Sequence, residues 1–389
     1  MDFSLSPVQK LMCETIRDFM RSKEVQDGTA HAKRTRAFPH KFMEKVASLG
    51  FFGMDVEEIY GGAGLTSLDA LPIIEEFAYA SVSFALNVLV QMTLAQFPIR
   101  MFGTEAQKQA YLPRMVQGKL LGCFANTEPD VGSDAKNISL RAQQHGNVWR
   151  LDGEKDCCTN ASEAGIAIVF ARTSPRVRSH PGTTAFLIEI DPLPPGLTIT
   201  RQKKNAQHGS TLCSISFNDV QIPLDSVLGE VDGGWTICER TFTHSRIWIA
   251  MQAVGAARKA FDLTVAYTSQ RRTFGKPIIE HQLIGAHLAA LKTGIEASRL
   301  LALRAGWQES VDDKDPSLLM YAAMAKYQAS EIAEQTASRL YRYSGRNSIM
   351  EEWAAAEHLL DILPISIYEG ASEIQLHIIA NLIKNSYHG

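Results

Sequence analysis

From Ser6 to about Leu121, apolar residues recur at three- and four-residue intervals, as in "FMEKVASLGFFGM" and "LDALPIIEEFAYA". That spacing predicts helices, with Ser67 capping the second of these. The break "EEIYGGAGLT" (57–66) reads as a structural turn. No strand precedes it, and it carries neither GxGxxG nor GxxxxGK[ST], so it does not read as a phosphate cradle.

Between about Gly122 and Val231 the pattern changes. "NVWRLDGEK", "GIAIVFART", "TTAFLIEI" and "LCSISFNDVQIP" are short β-branched and aromatic runs divided by Gly, Pro and Asn, which predict strands. "SPRVRSHPGT" (174–183) reads as a hairpin loop. From about Gly234 helical spacing returns, beginning with "RIWIAMQAVGAARKAFDLTVAYTSQ". Two more long segments follow, with apolar residues on more than one face. Such helices pack as a bundle and are wide enough to bury a face against another subunit. The expected fold is mainly α with a central antiparallel, barrel-like β domain. Its parts are an N-terminal helical domain (1–121), the β domain (122–233) and a C-terminal four-helix bundle (234–389). No βαβ alternation points to a doubly wound nucleotide fold.

A net charge of -3 and a pI near 6.4 give no general attraction to nucleic acid or anionic membrane. Of the six cysteines, Cys157 and Cys158 are adjacent, a spacing that suits neither a metal knuckle nor an easy disulfide. Free thiols in a cytoplasmic protein are expected. "MDFSLSPVQKLM" lacks a signal peptide's basic start, and no run of apolar residues predicts a membrane span.

The candidate chemistry begins at "ISIYEGASEIQ" (365–375). Ser372 and Gln375 fit a capping box, with a helix from about Glu373, so Glu369 would precede that helix's positive end. Gly370 lets a ligand approach the backbone. Glu369 there could serve as a base beside oxyanion donors. Equally, it could be a helix-start acid worth about 0.3–1 kcal/mol. Three other stretches bear on the choice. In "FANTEPDVGSDAKN" (124–137), Thr127, Ser133 and the backbone around Gly132 could bond a polar ring edge or a phosphate. In "KDCCTNAS" (155–162), Thr159 could reach a ring nitrogen. In "SQRRTFGKPIIEHQ" (269–282), Arg271 could pair with a pyrophosphate, Phe274 and Gly275 shape the turn, and Gln282 opens the next helix. Each stretch alone reads equally as an ordinary loop.

Together these stretches, with "FGTEAQKQAYLPRMVQGK" (102–119), "FNDVQIP" (217–223) and "RRTFGKPI" (271–278), resemble the acyl-CoA dehydrogenase family over nearly the whole chain. The resemblance implies a homotetramer or homodimer with FAD in each subunit. Glu369 would remove the α-proton of an acyl-CoA while the β-hydride passes to the flavin. Phe124, Thr127, Ser133, Cys158, Thr159, Ala371 and Glu373 would line or border the cofactor. Arg271, Phe274, Gln282 and the Ser344-Gly345 segment would grip the FAD of a partner subunit. Ser133, Arg246 and Gly370 would meet substrate. One acid and one flavin suffice for this chemistry, and no metal is needed.

The chain departs from the family pattern at several points. Cys157 stands where an aromatic residue usually covers the flavin, which puts electron-transferring flavoprotein as acceptor in question and admits a flavin oxidase or monooxygenase. "YRYSG" (341–345) replaces a Gln-x-x-Gly-Gly-like segment, and Leu360-Asp361 an Arg-Asp pair. An arginine is missing around His208. Ser245, which some branches replace with the base, leaves Glu369 as sole candidate. "HLLDILPISIYEG" resembles branches acting on acyl groups tethered to an acyl carrier protein.

Overall fold

The computed structural model describes residues 4–177 and 180–388. Two residues of the "SPRVRSHPGT" loop and the first three of the chain lie outside the described residues. Seven helices come first: α1 Pro7–Arg21, α2 Lys23–Thr35, α3 His40–Ser48, α4 Ser67–Ala80, α5 Val82–Leu89, α6 Phe97–Phe102 and α7 Glu105–Val116. Eight strands follow: β1 Gly122–Ala125, β2 Arg141–His145, β3 Val148–Thr159, β4 Ile166–Arg172, β5 Thr183–Glu189, β6 Leu197–Arg201, β7 Leu212–Pro223 and β8 Val227–Leu228. Next come α8 Gly234–Gln270, a hairpin of β9 Arg272–Thr273 and β10 Lys276–Pro277, α9 Gln282–Val311, α10 Leu318–Tyr343, α11 Ala355–Ile362 and α12 Ser372–His388. This is the helical, β, helical order that the hydrophobic pattern predicts.

The cap of α4 falls one residue earlier than expected. Thr66, not Ser67, accepts from Asp69 N–H, and Asp69 answers at the Thr66 N–H, a capping box. Ser67 is drawn instead to Glu309 by a hydroxyl hydrogen bond. The 57–66 stretch is the tight turn expected: a Cβ at Gly62 would sit 1.9 Å from the Val56 carbonyl oxygen.

α5 and α6 are joined by a π-helical segment, Val90–Gln96. The whole Val82–Phe102 helix is long and apolar enough to cross a membrane by composition, yet its most apolar stretch is wholly buried inside the protein. Its apolar surface faces β1 and α8. Gln91 ties it down: its side chain donates to Leu120 O (3.0 Å) and accepts from Gly122 N–H (2.8 Å).

The sheet runs β6-β7-β3-β2-β4-β5-β8, with β1 beside β4. Pairing is antiparallel except at β1–β4 and a single β2–β4 bridge, which are parallel. β4 explains its own apolar run: Ile166, Ile168 and Phe170 face the helical core, while Ala167, Val169 and Ala171 face the β-domain core. A strand buried on both faces loses polar alternation.

α8 is the spine, buried without interruption from Thr243 to Ala257. Gly255 is required where α4 crosses, since a Cβ would lie 2.3 Å from Glu75 O. Buried carboxylates at the same crossing hold the N-terminal helices to the bundle. Glu75 pairs with Arg258 (2.6 Å) and Arg299 (2.8 Å), and Glu76 with Arg17 (2.9 Å). Removing one partner of such a pair leaves an uncompensated charge.

Candidate functional site

The segment before α12 turns sharply. Glu369 has φ 55° and Gly370 φ 98°, so two successive residues occupy left-handed backbone. For a non-glycine residue that costs about 1–3 kcal/mol and persists only where surroundings enforce it. Here three side chains do so. Arg246 Nε donates to the Glu369 carbonyl (3.3 Å), while Lys326 Nζ and Gln375 Nε2 both donate to the Gly370 carbonyl (2.8 Å each). The φ of 98° strains any residue but glycine at 370, and an added Cβ would also meet Gln375 Nε2 at 2.5 Å and displace it from its bond.

The expected capping box is therefore absent. Ser372 is already helical and donates to Glu331 (3.0 Å), while Gln375 turns back to Gly370 rather than to an N-cap N–H. The expected electrostatics also reverse. Helix-end donors would favour the charged acid, but burial dominates and pushes the Glu369 carboxyl up to about 7. The Ser245 hydroxyl and the charges of Lys326, Arg246 and His244 oppose that rise. Glu369 Oε2 is buried without a hydrogen-bond partner. A desolvated acid titrating near neutrality is suited to proton abstraction.

The walls around it come from separate elements. Burial lowers Arg246 to about 10; its guanidinium lies 5.9 Å from the centroid of the Phe242 ring. Phe242 in turn meets Phe124 of β1 at 5.6 Å. Lys326, on α10, is lowered to about 8 by burial. Tyr368 donates to Gln252 (3.0 Å), and Gln207 donates to the Asp361 carbonyl (2.8 Å). The loop before β7 thus clamps the approach to Glu369, using Asp361 where the Arg-Asp pair was absent. His208 only closes its own turn, on Lys204 O (3.1 Å).

The loop after β1 is anchored by one buried carboxylate. Glu128 accepts from Ser139 N–H and its hydroxyl (2.6 Å each), Leu140 N–H (2.9 Å) and Lys155 Nζ (2.8 Å). The Asp156 N–H donates to Thr127 O (2.8 Å), which brings Thr127 beside β3. Thr127 and Thr159 are half-buried and Ser133 is exposed. The pairing of β3 with β7 slips between Lys155 and Cys158, where Cys157 takes φ 56° and is turned outward. A bulge re-aims a side chain in this way. Cys158, expected at a flavin-lining position, turns its side chain inward. It is fully buried in the β-domain core with Cys123 and Cys213, leaving only its backbone to face a ligand. Phe124 is likewise mostly core, packed on Phe170 at 4.9 Å.

The residues expected to reach a partner subunit lie apart from this group in the chain. Arg271 and Gln282 are exposed, and Phe274 is 96% exposed with φ 49° at the β9–β10 turn. Ser344 is buried, its hydroxyl unpaired and its carbonyl accepting from Tyr267 (3.2 Å). Gly345, Ala371 and Glu373 are exposed or half-buried.

Three matches with known domains cover most of the chain. Residues 6–119, 123–220 and 232–384 match the N-terminal, middle and C-terminal domains of acyl-CoA dehydrogenase. The chain belongs to the acyl-CoA dehydrogenase family. It is 38% identical over 98% of its length to human short-chain specific acyl-CoA dehydrogenase, covering 92% of that protein. To the short-chain specific enzyme of Megasphaera elsdenii it is 34% identical, over 97% of this chain and 98% of that one. The structure of butyryl-CoA dehydrogenase from the same organism superposes with a TM-score of 0.92 at 33% identity, covering 98% and 100% of the two chains. A glutaryl-CoA dehydrogenase–glutaryl-CoA complex gives 0.91 at 30%, over 98% and 96%. Acyl-CoA dehydrogenases are FAD-dependent oxidoreductases.

Sequence reasoning missed Lys326, Gln207, Tyr368 and His244 as neighbours of Glu369. Lys326 carried a signal: a lone lysine inside "YAAMAKYQAS", whose alanines are buried.

Proposed function

We propose that the chain is an FAD-dependent acyl-CoA dehydrogenase in which Glu369 removes the α-proton of the thioester. The observation that carries this reading is the unpaired, buried Glu369 Oε2 on a carboxyl raised to about 7. The residues present fit a flavin. Thr127 and Thr159 are half-buried side by side on the β1 loop and the end of β3, and the buried Ser344 hydroxyl is unpaired. FAD, when bound, supplies the acceptor for the β-hydride.

The protein's own residues do the rest. Lys326, Gln375 and Arg246 fix the 369–370 turn, so the carboxylate keeps its aim. The N–H groups of that turn are placed to polarise a thioester carbonyl, which acidifies the α-carbon. The surrounding apolar wall excludes water, so the proton leaves to Glu369. General-base action of this kind contributes roughly 10²–10⁴-fold. Phe274, an aromatic ring held out in solvent on strained backbone, supports assembly into a homo-oligomer whose partner covers it and completes the FAD grip with Arg271 and Gln282. Electron-transferring flavoprotein is the acceptor we favour, since a chain in a structure titled for that of Acidaminococcus fermentans superposes at 0.92. A cytoplasmic location goes with this reading.

Anaerobic titration of the FAD-loaded protein with butanoyl-CoA tests it: bleaching of the flavin is expected. Bleaching by acyl carrier protein thioesters alone would replace CoA with a protein tether, and rapid reoxidation by oxygen with peroxide release would favour an oxidase. No bleaching by any thioester sinks the reading.

A further inference from the structure

One group of buried polar atoms beside Glu369 has no use in the chemistry above. His244 lies on α8 two residues before Arg246, 1% exposed. Its ring is stacked face to face on Phe97 at 3.9 Å, and Trp248 stands one helical turn along at 5.5 Å. His244 Nδ1 is 3.0 Å from one oxygen of Glu309 and 3.1 Å from the other. Its other nitrogen, Nε2, is buried and unpaired. So is Trp248 Nε1, and so are both polar atoms of Gln96, which precedes Phe97 on the π-helical segment. Each unpaired buried group costs about 1–3 kcal/mol. His244 and Trp248 stand on successive turns of α8 and Gln96 on the neighbouring π-helical segment; of the three, His244 acts on the Glu369 carboxylate, and buried groups left unpaired in this way call for a ligand.

The donors define that ligand. Glu309 is held below the usual carboxylate range, first by His244 and then by the Ser67 hydroxyl, against the effect of its burial. It therefore accepts, and Nδ1 carries the proton. Trp248 can only donate; Gln96 can do both. Glu309 brings a negative charge to this wall, and Arg100 is taken by Asp55 at 2.7 Å. A carboxylate brought here would meet the Glu309 charge, while Arg246 and Lys326 are held on the 369–370 turn. The bulky CoA must lead outward, so the buried end of the site meets the acyl tail. Resting on the dehydrogenase reading, we propose that the substrate's acyl chain carries a hydroxyl beyond the β-carbon that donates to His244 Nε2 and accepts from the Gln96 amide.

The test compares pentanoyl-, 4-hydroxypentanoyl-, 4-oxopentanoyl- and glutaryl-CoA on the FAD-loaded enzyme, by kcat/KM and by calorimetric Kd on Glu369→Gln. 4-Hydroxypentanoyl-CoA should exceed both pentanoyl-CoA and 4-oxopentanoyl-CoA by at least about tenfold, because a site built for a hydrogen bond rejects an analogue lacking it. His244→Met/Glu309→Met, which replaces both buried partners with apolar groups, and Gln96→Leu should each bring that ratio towards one. Equal use of pentanoyl-CoA, a preference for glutaryl-CoA, or a ratio unmoved in well-folded variants would overturn the proposal. If no ester bleaches the flavin, the Glu369 reading fails, while the Kd series still decides the polar pocket.

Discussion

Lys326, on α10, donates to the carbonyl of Gly370 at 2.8 Å, although the two residues belong to different helical segments and the lysine is fully buried. One cation thus holds the turn that carries the acid and also sits in the acid's field.

The role of Glu369 is checked directly by Glu369→Gln. The amide keeps shape but cannot take a proton, so turnover with butanoyl-CoA should fall by at least about 10²–10⁴-fold. FAD absorbance of the purified variant should match wild type. Retained turnover would assign the base elsewhere.

Lys326→Met should shift the pH profile. Glu369 works as the carboxylate, so kcat rises as pH climbs through about 7. Lys326 lowers that value, and its removal should move the rising limb to higher pH. A limb that stays or moves down would show that Lys326 acts only as a prop.

The same burial predicts a stability trade. The Glu369 carboxyl is raised from 4.5 to about 7 in the folded protein. Its favourable contribution is complete below the unfolded value and is lost as pH rises through the folded one. Glu369→Gln should therefore gain thermal stability relative to wild type at pH 8 but not at pH 4, by on the order of 1–3 kcal/mol. Equal differences in Tm at both pH values would contradict this.

Lys155→Met should unfold at lower urea, by about 3–5 kcal/mol, because it strands the buried Glu128 carboxylate. Lys155→Met/Glu128→Gln should recover part of that loss. If the single variant is as stable as wild type, Ser139 and Leu140 alone hold Glu128.

Phe274→Ser should loosen assembly. Size-exclusion chromatography with light scattering should show smaller species, and FAD should be lost on dialysis. An unchanged mass would place the Phe274 ring outside any subunit contact.

Much of this was legible in the chain. The helical, β, helical order follows from hydrophobic spacing, and Glu369 stands out because glycine, serine and glutamine surround it in a recognisable run. What the sequence could not show was which influence on Glu369 wins. Helix-end donors and burial push its protonation in opposite directions, and only packing reveals that burial prevails. Nor could the sequence show which of two adjacent cysteines points outward: a bulge at Cys157 turns that side chain out and leaves the Cys158 side chain in the core, and no local spacing announces a bulge. His244 and Glu309 lie 65 positions apart and meet only when α8 and α9 pack.

The outward bulge at Cys157 separates what the position shows to solvent from what the sheet packs inside. Because its side chain fills neither interior of the β domain, a change of residue there leaves the sheet's packing intact. On the proposed function, the residue beside the redox edge could therefore be exchanged without rebuilding the architecture beneath.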